Sequence, residues 1–133
     1  MTAQSVKLLL VEDSSVLAER IAELVNEIPE IQLVARADSE STALAELRTR
    51  RIHIVILDLH LKEGTGFGIL RAISTFPDKP RVVVLTNHDS ADYQGNAITL
   101  GATVFLDKAR DFERLPDLLA EFGREIQSMP MGA

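Results

Sequence analysis

The sequence predicts a three-layer α/β domain, with helices covering both faces of a parallel sheet. Three observations lead there. Five apolar runs recur at even intervals: Val6–Val11, Ile31–Ala35, Ile52–Leu57, Val82–Leu85 and Val104–Leu106. The strongest of these, VKLLLV, IHIVIL and RVVVL, are near-continuous hydrophobics without alternation, as strands buried on both faces are. Between the runs lie segments whose apolar residues repeat at three and four. Five strands alternating with five helices in this way build a parallel sheet through right-handed crossovers.

Taken in order, the first strand leads into a helix over Val16–Ile28. There Leu17, Ile21, Leu24 and Ile28 share a face and Ser14 or Ser15 supplies the N-cap. After the second strand, Ser39–Arg50 carries Leu44 and Leu47 behind a capping serine. The third strand is followed by Phe67–Thr75, with Leu70 and Ile73 inward and Pro77 beyond its end. A fourth helix over Asp89–Leu100 takes Asp89 or Ser90 as cap and stops at Gly101, a suitable C′ glycine. In the last segment, Phe112–Gln127, Pro116 is tolerable only in a first turn, so the long helix starts near Leu115 after a short turn. The tail SMPMGA is expected to fray. The division is therefore one domain over residues 4–127 and a tail over 128–133.

Composition narrows the function. A chain of 133 residues with 46% hydrophobic and 26% charged residues is one ordinary globular domain. The 20 acidic and 14 basic residues leave a net charge of −6, which argues against a nucleic-acid surface because backbone phosphates would be repelled. No apolar run approaches the ~18 residues of a membrane span, and no charged-then-apolar signal segment opens the chain. Cysteine is absent, so neither disulfides nor thiolate chemistry enter, and a cytoplasmic location is expected.

Ligands of open α/β sheets sit beyond the carboxyl ends of the strands, so the residues that end each strand matter most. Strand one ends LLLVED, giving Glu12 and Asp13; strand three ends at Asp58; strand four brings Thr86 and strand five Lys108. Three carboxylates, a hydroxyl and an ammonium thus converge. The carboxylates repel, and one or more would stay protonated at neutral pH without a compensating charge. A hard divalent cation compensates, and an oxygen-only, sulfur-free site suits Mg²⁺ best. A cation, an ammonium and a hydroxyl around a carboxylate are also what an incoming phosphoryl group needs, with Asp58 as nucleophile.

In this order and at these strand ends, the set resembles the receiver domain of two-component response regulators, over about Val6–Gln127. Five anchors carry the resemblance: the pair Glu12-Asp13, Asp58 with Gly66 eight positions on, Thr86, Phe105 and Lys108. It implies a doubly wound, flavodoxin-like sheet of strand order 2-1-3-4-5. It implies a chemotaxis-regulator-like, stand-alone signalling protein that is no enzyme beyond catalysing its own phosphorylation and dephosphorylation. Asp58 would accept the phosphoryl group from a phosphohistidine on a sensor histidine kinase or phosphotransfer protein. Asp13, Asp58 and the backbone carbonyl of His60 would bind Mg²⁺, or Mn²⁺ in its place, with Glu12 acting mainly through water. Lys108 would pair with Asp58 or its phosphate, Thr86 would swing toward that group, and Phe105 would rotate inward behind it.

The kinase would dock on the first helix, with Val16 and Arg20 as candidate contacts. An output protein would use the face of helix 4, strand 5 and helix 5, including Tyr93, and a homodimer is an open option. No nucleic acid or membrane partner is expected. A phosphorelay intermediate, a phosphate sink and a phosphorylation-independent pseudo-receiver are the alternatives. The pseudo-receiver would lack one of Asp13, Asp58, Thr86 or Lys108, and all four are present. A flavodoxin-like cofactor carrier would need a hydroxyl- or glycine-rich loop after strand one, where VEDSS has the wrong sign. An aspartate-nucleophile phosphohydrolase would place its nucleophile there in an Asp-x-Asp arrangement, which is missing.

Singly, each residue has a plain reading: Asp13 as a turn or cap residue, Lys108 as a solvated lysine, Thr86 as a strand former and Phe105 as core. His60 and His88 flank the mouth of the site, where imidazoles influence acyl-phosphate lifetime, and loop histidines with no role are an equal alternative. His53, far from the strand ends, reads as structural. Several positions depart from the usual receiver pattern. Lys62 stands where proline is common and leaves that loop freer; Asn87 follows Thr86 in place of a small residue and narrows access. Ala109 replaces the proline after Lys108, so the usual cis peptide is not expected. Gly95 weakens helix four by ~1 kcal/mol relative to alanine.

Overall fold

The computed structural model describes residues 5–87 and 91–129. Alternating elements run in the order β1 (Val6–Val11), α1 (Ser15–Asn26), β2 (Ile31–Ala37), α2 (Glu40–Thr49), β3 (Ile54–Leu57), α3 (Gly66–Ile73), β4 (Arg81–Thr86), α4 (Ala91–Thr99), β5 (Val104–Asp107) and α5 (Leu115–Gln127). The five strands are all parallel, in the order β2-β1-β3-β4-β5. The doubly wound fold and its strand order therefore stand as expected.

Alternation along the strands explains the three layers. Leu8, Leu10, Ile54, Ile56, Val83, Leu85 and Leu106 point to one face, where α1 (Ala18, Ile21, Val25) and α5 (Leu115, Leu119, Phe122) cover them. Leu9, Val11, Val55, Leu57, Val82 and Val84 point to the other, under Ala43 and Leu47 of α2, Ile69, Leu70 and Ile73 of α3, and Ala97 of α4. Because both faces are buried, these strands show no polar alternation. Each buried Leu, Ile or Val contributes roughly 1.5–3 kcal/mol, which fixes β1 and β3 as the rigid centre of the sheet.

The helix boundaries follow local chemistry. Ser14 caps α1, its hydroxyl accepting from the Leu17 N–H at 3.3 Å. Ser39 and Thr42 form a reciprocal box at the start of α2. Thr65 caps α3 by accepting from the Gly68 N–H. Gly101, at φ +108°, ends the α4 segment in a backbone region that L side chains rarely adopt. Pro116 lies in the first turn of α5, after a short 3-10 turn over Phe112–Arg114.

Some boundaries shift from the sequence reading. β3 starts at Ile54, two residues later than expected, because His53 is used otherwise: its N–H donates to the Lys7 carbonyl, and its Nδ1 accepts the Lys7 N–H at 2.9 Å. Burial, with Arg51 and Lys7 nearby, lowers the His53 pKa, which suits an imidazole accepting a hydrogen bond. β2 runs on to Ala37, past a register slip opposite Leu8 and Leu9. The expected cap of α4 at Asp89 or Ser90 lies outside the described residues, as do residue 4 and tail residues 130–133. Among the described residues no helix is long and apolar enough to cross a membrane, and no peptide is cis.

Candidate functional site

The carboxyl ends of β1, β3, β4 and β5 gather the polar side chains that the sheet itself excludes. After Val11 the chain continues the sheet for one residue, the Glu12 N–H donating to Ala37 O at 3.0 Å. Glu12 is thereby buried at 5% exposure. Its Oε2 accepts the Ser14 N–H at 3.0 Å, and Asp13 follows half-buried. At the end of β3 the Asp58 N–H donates to Val11 O at 3.1 Å, holding a 5%-exposed carboxylate beside Glu12. One carboxylate oxygen from each of Glu12, Asp13 and Asp58 lies within 4.8 Å of the others.

Lys108, just past β5, reaches across this rim. Its Nζ lies 2.7 Å from Asp58 Oδ2 and 2.9 Å from Glu12 Oε1. Burial alone would pull the ammonium's pKa down, but the hydrogen bonds and charges of Asp58 and Glu12 outweigh it and hold the pKa above the ordinary lysine value. Burial raises the Glu12 pKa, and the Lys108 and Ser14 contacts offset only part of that. One ammonium thus faces two carboxylates directly, with a third close by. An oxygen-only cluster of this spacing fits a hard divalent cation, which would relieve the repulsion that Lys108 leaves.

The remaining sequence-predicted residues surround this centre. Thr86 is fully buried at the end of β4, and its carbonyl accepts the Lys108 N–H at 2.9 Å. The His60 N–H donates to Asp58 Oδ1 at 3.2 Å. The His60 imidazole is exposed and meets Tyr93 edge-on, ring centroids 5.4 Å apart, while Tyr93 stacks on Phe67 at 5.9 Å. Phe105 is half-buried in the apolar cluster beneath α3 and α4. Asn87 is exposed, and His88 lies outside the described residues. Val16 is 81% exposed on α1. Arg20, also exposed, rests its guanidinium 4.5 Å from the Phe112 ring centre.

Gly66 has a steric reason. A Cβ there would lie 2.5 Å from the Asp58 carbonyl oxygen and 2.8 Å from Leu59 Cα, and its N–H donates to Leu59 O at 3.0 Å. The loop that follows Asp58 therefore folds back tightly on the strand end. Lys62 sits in this loop, which is more firmly tied than a missing proline suggests. His60 and Thr65 form a bridge, Glu40 Oε1 accepts the Thr65 N–H at 2.9 Å, and the Glu40 N–H donates to Glu63 O.

Two residues escaped the sequence reading. Glu40 looks like an ordinary acid in a first helical turn, and only the fold brings it to the loop after Asp58. Asp107 fell just beyond the apolar run read as strand five. It is buried at 8% exposure, and its Oδ1 accepts the Ala109 and Arg110 N–H groups. The spacing of Asp107 and Asp111 around Lys108 was the available signal.

Comparison with known proteins agrees with this geometry. Residues 8–120 match the response regulator receiver domain. The Fimbriae Z protein of Salmonella typhimurium is 31% identical over 103 residues, covering 77% of this chain and 49% of that protein. The transcriptional regulatory protein CitB of Klebsiella pneumoniae is 27% identical over 125 residues, 94% of this chain and 53% of its own length. The chain spans about half the length of these curated relatives. The response regulator domain of Thermotoga maritima CheB superposes with a TM-score of 0.81 at 18% identity, covering 96% of this chain and 99% of that one. The response regulatory domain of protein mrkE from Klebsiella pneumoniae gives 0.83 at 21%, covering 92% and 99%; at these identities both show the shared fold. Sequence match and strand-end chemistry together place this chain in the response regulator receiver domain family.

Proposed function

We propose that the chain accepts a phosphoryl group on Asp58 from a phosphohistidine of a sensor histidine kinase or phosphotransfer protein, in a Mg²⁺-dependent reaction that switches protein contacts. One observation carries this reading. Asp58 ends the central strand as a buried carboxylate held by the Lys108 ammonium at 2.7 Å, beside the carboxylates of Glu12 and Asp13. The rigid strand fixes the attacking oxygen, so little positional freedom is lost on reaction.

In the transfer a new P–O bond forms to an Asp58 carboxylate oxygen as the P–N bond to the donor imidazole breaks, and the imidazole leaves as the neutral ring after taking a proton. Lys108 already lies against Asp58 and can follow the charge onto the phosphoryl oxygens. Asp13, Asp58 and the His60 carbonyl would hold Mg²⁺, with Glu12 behind; Mn²⁺ could substitute. When bound, that cation supplies positive charge against the phosphoryl oxygens. The Thr86 hydroxyl would then donate to the phosphoryl group, and Phe105 would follow inward. This biases the α4–β5–α5 face, including Tyr93, for an output protein. Val16 and Arg20 on α1 are the proposed kinase contacts. Residues 4–127, which enclose the matched span, constitute this receiver domain, and a cytoplasmic location goes with the reading.

Incubation with acetyl phosphate, with and without Mg²⁺, tests the proposal by intact-protein mass. The expected result is addition of a single phosphoryl group only when Mg²⁺ is present. No adduct, or one indifferent to Mg²⁺, would overturn it.

A further inference from the structure

The ammonium that meets Asp58 belongs to a residue at a turn, where a lysine ordinarily has many directions open to it. Here the turn is closed on all sides. The Lys108 N–H extends the β4–β5 ladder by donating to Thr86 O at 2.9 Å. Before it, the Asp107 N–H donates to Asp111 Oδ2 at 3.0 Å, and the Asp107 carbonyl accepts the Asp111 N–H at 2.9 Å. After it, Asp107 Oδ1 accepts both the Ala109 N–H, at 2.9 Å, and the Arg110 N–H, at 2.8 Å. A proline at 109 would have no N–H to give. Two aspartates four residues apart thus take up every backbone N–H from 107 to 111 except that of Lys108, which the sheet takes.

We propose that Asp107 is a positioning residue for phosphorylation: its buried carboxylate, by gripping the Ala109 and Arg110 N–H groups, sets the direction in which Lys108 reaches Asp58 and Glu12. The inference rests on Asp58 as phosphoacceptor. A carboxylate is suited to the task because one oxygen can accept two adjacent N–H groups at once. Asp111 completes the clasp from the other side, and Arg110 and Arg114 lie 3.7 and 3.6 Å from its Oδ1. Misdirecting Nζ costs rate because the ammonium then trails the charge as it moves onto the phosphoryl oxygens.

The test measures phosphorylation by acetyl phosphate with Mg²⁺ for Asp107→Ala and Asp107→Asn, each with Lys108 intact and with Lys108→Ala. Asp107→Ala is expected to slow phosphorylation about tenfold, while Asp107→Asn, which keeps the accepting oxygen, restores most of the rate. With Lys108→Ala already present, Asp107→Ala should slow it no further. A wild-type rate in Asp107→Ala, an equal slowing without Lys108, or no rescue by asparagine would overturn the proposal. If Asp107→Ala does not fold, Asp107→Glu, which displaces the carboxylate by one methylene, carries the same expectation.

A second readout needs no phosphate. The Lys108 ammonium resonance in ¹⁵N NMR should be protected from water exchange in the wild type and in Asp107→Asn, and lose that protection in Asp107→Ala. Unchanged protection in Asp107→Ala overturns the positioning role even if Asp58 is never phosphorylated. Failure of the wild type alone to form an adduct counts instead against the phosphoacceptor reading.

Discussion

Replacing Lys108 by methionine removes the ammonium that contacts Glu12 and Asp58 while keeping most of the stem's volume. The two side chains left behind are 2% and 6% exposed, so water is a poor replacement for the lost partner. Two charge-assisted hydrogen bonds disappear, a gross loss of about 3–6 kcal/mol at about 1.5–3 kcal/mol each. Breaking a buried pair typically costs about 3–5 kcal/mol. Burial already raises the Glu12 pKa, so Glu12 increasingly limits the damage by taking up a proton as pH falls. The expected net loss at neutral pH is therefore about 3 kcal/mol, or about 10 °C in Tm for a chain of this length.

The pH dependence has a definite sign. The Lys108 pKa is raised on folding, so its stabilisation is complete below the ordinary lysine value and is lost as pH rises through the folded-state value. The wild type keeps that contribution through the neutral range, and it weakens as pH falls and Glu12, its own pKa raised by burial, takes up a proton. The deficit of Lys108→Met depends on Glu12 being charged, so it shrinks as pH falls and Glu12 protonates. Thermal unfolding followed by circular dichroism at pH about 7.5 and about 5 reads both effects. Millimolar Mg²⁺ should narrow the gap at the higher pH, since a cation among the carboxylates replaces part of the lost charge. A Tm change of only a degree or two, or a deficit as large at the lower pH as at the higher, would refute the electrostatic account of the site.

Gly95→Ala should raise stability by about 0.5–1 kcal/mol in urea unfolding, because a Cβ there meets nothing within 4 Å and alanine is the better helix former. Gly66→Ala should do the opposite, lowering stability by about 1–3 kcal/mol, since its Cβ would press on the Asp58 carbonyl and on Leu59. It should also slow phosphorylation, because relief of the clash moves the strand end that carries Asp58. His60→Ala and His88→Ala should each change the lifetime of the phosphorylated form at neutral pH, read by decay of the adduct; unchanged decay in both leaves them as loop histidines. Tyr93 is the sole tyrosine in a chain without tryptophan, so its emission in His60→Ala also reports the loss of the edge-on contact.

What could be read from the sequence follows burial. Strands β1, β3 and β4 were visible as uninterrupted apolar runs because both faces of each are covered. Glu12, Asp13, Asp58, Thr86 and Lys108 stood out because charge or polarity follows directly on those runs. β2 was read two residues short because its edge position leaves Gln32 and Arg36 exposed. β3 was read two residues long because Ile52 and His53 continue the apolar pattern while the His53 ring and backbone bind Lys7. Glu40 carries no sequence mark of a place at the site and Asp107 only its spacing from Asp111: each acts by accepting backbone N–H groups, whose directions only the folded chain fixes.

The central claim is that the strand-end carboxylate at position 58 is the phosphoacceptor. Peptide mapping by mass spectrometry, after incubation with acetyl phosphate and Mg²⁺, locates the added group directly. The account predicts a single base-labile, hydroxylamine-sensitive phosphoryl group on the peptide containing Asp58, absent in Asp58→Asn. A group on any other residue, or one that persists in Asp58→Asn, would contradict it.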